Sequence, residues 1–158
     1  MGICRQTFFA LGLVFWAGSA LAHCAKDHVH VETPRGKTVF SVDLAQTPQE
    51  RQTGLMFVEQ MPLFQGMLFI FETMAPRAFW MQNTLISLDI IFVDDQGRVV
   101  SIAQDAVPGD LTSLPSEGPA QFVLEINAGL SDRLGIEAGS VIRHPLIGNA
   151  KDHASCVN

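Results

Sequence analysis

Between Val31 and Arg143 the chain has no histidine, no cysteine and no tyrosine, and Lys37 is its single lysine. Those absences exclude, for this stretch alone, the Ser-His and Cys-His nucleophilic pairs and the three-histidine zinc site, each of which needs an imidazole or a thiolate. A catalyst built here has only carboxylates, arginines and hydroxyls to work with. The histidines, His23, His28, His30, His144 and His153, all lie near the ends. Basic side chains are also scarce, with 10 Lys and Arg against 16 Asp and Glu and a net charge of -6. Nucleic acids and anionic membranes are bound largely by Lys and Arg that neutralise phosphate, so neither is an expected partner. No repeat, low-complexity segment or cofactor motif is present, and no cofactor is expected.

What is present at the start reads as a secretory signal over residues 1–22. Arg5 supplies the positive charge, Phe8 to Ala17 the apolar core, and Ala20-Leu21-Ala22 the small residues of a cleavage site. The uncharged run Gln6 to Ala22 is shorter than the roughly 20 apolar residues that span a bilayer. Cleavage near Ala22 predicts a periplasmic or secreted protein with no membrane attachment. A lipoprotein reading at Cys24 is disfavoured because His23 stands where a small residue is needed. Cys4 leaves with the signal, so Cys24 and Cys156 remain, and an oxidising compartment favours a disulfide between them over two free thiols. The expected organisation is a 23–36 tail with room for one short strand, a single domain at 37–147 and a 148–158 tail.

Val39 to Leu44 alternates as a half-buried strand, and His28 to Val31 is the short strand of the tail. Thr47-Pro48-Gln49-Glu50 combines a capping hydroxyl, a proline suited to the first helical turn and a glutamate three residues after the cap, which predicts a helix start. Further strands are expected at Met67 to Phe71, at Phe79 to Met81 paired with Leu88 to Val93 around the Gln82-Asn83-Thr84 turn, at Arg98 to Val107, at Gln121 to Asn127 and at Ser140 to Arg143. Leu130 to Leu134 reads as a brief helix ended by Gly135, and Pro108 to Pro119 as the longest loop. Short, frequent strands with close reversals predict a mainly β fold: a compact antiparallel β-sandwich or small barrel with one or two short peripheral helices.

Two carboxylates interrupt apolar strands, Asp89 between Leu88 and Ile90, and Glu125 between Leu124 and Ile126. Alternation sets Leu88, Ile90 and Phe92 towards a core with Phe122, Leu124 and Ile126, and both acids on the opposite face. Two acids lining one cleft can divide acid and base roles, as in glycoside cleavage, so Asp89 and Glu125 are the catalytic candidates. The structural alternative has Asp89 accepting hydrogen bonds from the Asn83-Thr84 backbone and Glu125 paired with Arg51 or Arg77. Trp80, Asn83 and Thr84 could hold a sugar or another small polar ligand, or simply pack. Met56, Met61, Met67, Met74 and Met81 are soft groups that suit Cu(I), although methionine more often fills gaps in a core. A freed His23 with His28 and His30 is a second copper arrangement.

Glu50-Arg51, Gly54-Leu55-Met56, Gly66-Met67-Leu68-Phe69, FWMQNTLISLDIIFVD, AVPGDLTSLPS and VLEINAGLSDRLGI with Gly139 resemble the family called domain of unknown function 192, over about Val39 to Arg143. The resemblance implies a compact mostly-β domain, commonly exported in bacteria, with no established activity. Its recurring polar and turn positions fall here on Glu50, Arg51, Trp80, Asn83, Thr84, Asp89, Pro108, Gly109, Asp110 and Glu125. Gln82 stands where many relatives have a lysine, so an anionic ligand that used that lysine would lack it here. The leading expectation is a small exported binding or accessory module, its partner a small polar ligand or envelope component, with a shallow site at Arg51, Trp80, Asn83, Thr84, Asp89 and Glu125. The alternatives are a carboxylate-dependent hydrolase of an envelope glycan and a periplasmic copper-handling protein.

Overall fold

A computed structural model describes residues 26–148. The signal segment, His23, His153 and both cysteines of the expected disulfide, Cys24 and Cys156, lie outside the described residues. Nine elements follow one another: β1 (His28–Thr33), β2 (Gly36–Ala45), α1 (Pro48–Thr53), β3 (Gln65–Phe79), β4 (Leu88–Val93), β5 (Val99–Ala106), β6 (Leu114–Asn127), α2 (Leu130–Leu134) and β7 (Val141–Arg143). The fold is mostly β, as expected, and it is one seven-stranded sheet in the order β5-β4-β6-β3-β2-β1-β7. That sheet curls far enough for its edges to touch, through an Arg98–Val141 bridge and Val99 N–H donating to the Ser140 carbonyl at 2.9 Å.

Several elements differ from expectation. His28–Thr33 is an interior strand paired with β2 and β7, so the domain begins before residue 37. β2 and β3 run parallel, Ser41 opposite Gln65 and Ala45 opposite Phe69, with α1 as their crossover. A parallel pair needs such a long connection, and nothing in local alternation distinguishes it from a hairpin. β3 continues to Phe79, where its partner is Leu114, so Phe79 to Met81 forms no hairpin with β4. The expected loop from Pro108 to Pro119 is half strand, because Leu114 to Ala120 joins β6. Its prolines sit opposite Ala78 and Pro76, beside register shifts, where a missing ladder donor is tolerated.

Both faces of the sheet are covered. One carries Phe40, Leu68, Ile91, Leu124, Ile126 and Ile142; the other carries Phe69, Met81, Leu88, Ile90, Phe92 and Val123. Each such large side chain, fully buried, contributes about 1.5 to 3 kcal/mol. Gly66 is required where β3 crosses β6, since a Cβ there would lie 2.3 Å from the Glu125 carbonyl oxygen. α1 starts with the capping box: Thr47 Oγ1 accepts from Glu50 N–H, and the Glu50 carboxylate accepts from Thr47 N–H. Gly54, at φ 47°, ends it and turns the chain onto Phe69.

Candidate functional site

Residues directly opposite in an antiparallel pair share a face, and β4 meets β6 with Asp89 opposite Ile126 and Ile90 opposite Glu125. Asp89 therefore lies on the Ile91 and Leu124 face, and Glu125 on the Leu88 and Phe92 face. The expectation that both acids share one face is overturned. All six residues of β4 are buried, so alternation along it carries no direction, and a one-residue change of register exchanges the faces.

Asp89, fully buried, is spent on structure. Its carboxylate accepts from Asp105 N–H at 3.0 Å and from Ser131 N–H at 2.9 Å. The N-cap of α2 is Gly129, which has no side chain to offer, and Asp89 supplies the missing acceptor from the neighbouring strand. Asp105 itself sits at φ 51°, held there by the same carboxylate. These partners replace the Asn83-Thr84 backbone as the acceptor's neighbours.

Glu125 is the opposite case. It is 4% exposed, and its carboxyl has no hydrogen-bond or ionic partner among the described residues. Neither Arg51 nor Arg77 pairs with it. Burial alone pushes its pKa up to about 8, so the group is mostly a neutral acid at pH 7. It lines a cavity of about 340 Å³ between α1, β3 and the turn that follows β3.

The walls are aromatic. Phe79 meets Phe69 edge-on at 5.0 Å between ring centres and Phe92 at 5.9 Å. Arg51, placed by α1, also lines the cavity; its Nη1 donates to the carbonyls of Gln46 and, at 2.9 Å, Ile70. Its guanidinium lies 5.0 Å from the Phe71 ring centre, and that of Arg77 lies 3.9 Å from the same ring. Burial and then repulsion by Arg51 lower the Arg77 pKa. Arg77 is anchored on the carbonyls of Ala120 and Thr73. Neither arginine has a carboxylate partner among the described residues, in a chain where acids outnumber bases.

The remaining wall is the turn at 80–84. Trp80 is 51% exposed, and Thr84 bridges to Met56. Met81 N–H donates to the Asp110 carbonyl and Phe57 N–H to the Asn83 carbonyl, which ties the turn to the loops on both sides. Of the six site residues expected, the cavity brings together Arg51, Trp80, Thr84 and Glu125. Asn83 stands outside it, exposed at φ 55° with its amide 3.9 Å from the Met56 sulfur. Asp89 is on the other face. The cavity adds Met56, Phe69, Phe71, Phe79 and Gln82, which read in the sequence as core or turn. Among the described residues no three His, Cys, Asp or Glu side chains converge as metal ligands.

The model of the uncharacterised family DUF192 matches residues 30–144, most of the chain. This chain belongs to that family. Among solved structures, the DUF192 protein is similar to a protein of unknown function from Novosphingobium aromaticivorans, at 46% identity and a TM-score of 0.72, over 73% of this chain and 83% of that one. It is also similar to a proposed transcription regulator from Sinorhizobium meliloti, at 36% identity and a TM-score of 0.72, over 77% and 95%. No curated protein matches. Several residues of the blocks that mark the DUF192 resemblance line the cavity: Arg51, Gly54 to Met56, Phe69, Phe79, Trp80, Gln82, Thr84 and Glu125.

Proposed function

We propose that this chain is an exported small-molecule-binding module of the cell envelope, with the Glu125 cavity as its binding site. The observation that carries the reading is a nearly buried carboxyl that opens onto a cavity and has no partner among the described residues. Buried polar groups are normally hydrogen-bonded, and leaving one open costs about 1 to 3 kcal/mol, a cost that a bound ligand removes. Aromatic walls with a few convergent polar groups are the usual composition of a small-ligand site. The signal-like segment at 1–22 supports export.

The hydrolase reading needs two acids facing one substrate, and Asp89 lies across the sheet with both oxygens engaged. A nucleic-acid role, suggested only by the description of the Sinorhizobium protein, has no support in a chain of net charge -6.

Saturation-transfer NMR with a panel of small aromatic and polar fragments tests the reading, read beside the variant Ala78→Phe. Ala78 is an exposed wall residue, so the larger ring obstructs the cavity without entering the core. Fragments should bind the wild type and lose that binding in the variant. Hits that bind both proteins equally, or no hits at millimolar concentration, would refute the site. Export is checked by cell fractionation and amino-terminal sequencing of the mature protein, which should begin at His23.

A further inference from the structure

We propose that the cavity takes a small organic anion with an apolar body, its charged end on Arg51 and its inner end against Glu125. This rests on the cavity being a binding site and adds the chemical class of the ligand.

Three observations carry it. First, Arg51 and Arg77 share the Phe71 ring, and each is held in place by backbone carbonyls rather than by acids. Arg51 spends only Nη1 on those bonds, so its Nε and Nη2 remain to grip a carboxylate in the two-point manner that guanidinium geometry favours. The acid beside Arg51, Glu50, turns its carboxylate to the Gln46 and Thr47 N–H groups, and arginines with no salt bridge among the described residues, beside a cavity in an acidic protein, are an anion's complement. Gln82 makes Arg51 the one cation among the residues lining the cavity.

Second, the acid at the base does not cancel that charge. The side chains facing Glu125 are apolar from β3 (Met67, Phe69) and from β4 (Leu88, Ile90); of the residues that α1 brings to the cavity, Arg51 alone is charged, and the turn brings the uncharged Gln82 and Thr84. Burial keeps the proton on, and the neutral carboxyl can donate a hydrogen bond to a polar atom of the ligand. Third, the rings of Phe69, Phe79 and Trp80 line the same cavity as these two polar groups and suit a flat or branched apolar body.

Three probes with nearly the same body and different charge separate the outcomes: phenylacetate, 2-phenylethanol and phenethylamine, each titrated into the full mature protein by NMR. Phenylacetate should bind most tightly, at least about tenfold over the alcohol, with the amine weakest. Arg51→Met should remove the preference for phenylacetate while the alcohol binds as before, and Arg51→Lys should restore part of it. Binding of the alcohol in Arg51→Met also shows that the variant is folded. Phenylacetate affinity should fall about tenfold per pH unit above about 8, as Glu125 ionises, and Glu125→Gln should abolish that fall. Equal binding of all three probes, or tightest binding of the amine, overturns the anion while leaving the cavity a binding site. Failure of every probe to perturb the Trp80 indole or Met56 methyl signals overturns both readings.

Discussion

Asp89 and Glu125 occupy adjacent rungs of the same strand pair, and they differ in every respect that matters to a carboxyl group. Asp89 accepts two backbone N–H bonds and completes a helix start; Glu125 accepts none and is surrounded by phenylalanine, leucine and methionine. Their flanking residues are almost alike, Leu-Asp-Ile and Leu-Glu-Ile. The difference arises from which face each takes, and hence from what stands over it: on one side α2 and the β5 backbone, on the other an open cavity. An acid set in an apolar strand is therefore structural or available according to its cover, and the strand's own sequence does not decide between them.

The comparison is broken most severely at Asp89. Asp89→Ala leaves the Asp105 and Ser131 N–H groups buried without acceptors, and should cost about 2 to 5 kcal/mol in urea unfolding. Asp89→Asn keeps one acceptor but turns an amide N–H towards a backbone N–H, and should cost less than Ala while still lowering the Tm. Binding of fragments in the cavity should be unchanged in any Asp89 variant that remains folded, since the residue faces away from it. A stability loss within about 0.5 kcal/mol for Asp89→Ala would mean that the carboxylate does not hold α2.

His144 sharpens the comparison, because it is a buried titratable group satisfied like Asp89. Its Nε2–H donates to the Lys26 carbonyl at 2.8 Å and its Nδ1 accepts from Leu146 N–H at 3.2 Å, an arrangement that fits only the neutral ring. Burial lowers its pKa below the ordinary 6.5. A lowered folded value means stability that is present above 6.5 and is lost as pH falls through the folded pKa. His144→Gln should flatten this acid limb in denaturant titrations; an unchanged limb would assign it to another group.

A smaller effect is expected at Arg51. Arg51→Met removes the bond to Ile70 that ties α1 to β3 and the bond to Gln46 just before the helix, and with the helix on the surface the loss should be about 1 kcal/mol. A much larger loss would make Arg51 chiefly a structural anchor.

Much of the scaffold was legible in the chain because it is written in local chemistry. The capping box at Thr47 and Glu50, the short helix ended by Gly135, and β4 between its polar turns all occur where local signals put them. The parallel β2–β3 pair was not legible, because pairing across a crossover depends on distant residues. Nor was the long β6, whose Pro115 and Pro119 read as loop yet sit at irregular rungs that need no N–H.

For the site, Arg51, Trp80, Thr84 and Glu125 stood out as polar or amphipathic groups in apolar surroundings. Phe69, Phe71 and Phe79 could not, since a phenylalanine lining a cavity and one filling a core are the same residue in sequence. The face shared by Glu125 and Phe92 was hidden because both sides of β4 are buried and alternation has nothing to separate.

The most direct measurement is the urea stability of the wild type and of Glu125→Gln across pH 4.5 to about 9. A folded pKa raised from 4.5 to about 8 means that the neutral acid's contribution is complete below 4.5 and is lost as pH rises to 8. The wild type should therefore weaken relative to the variant across that window, by on the order of 5 kcal/mol, and run parallel to it above. Curves that are parallel throughout would contradict an unpartnered, buried Glu125 and remove the basis of the cavity as a site.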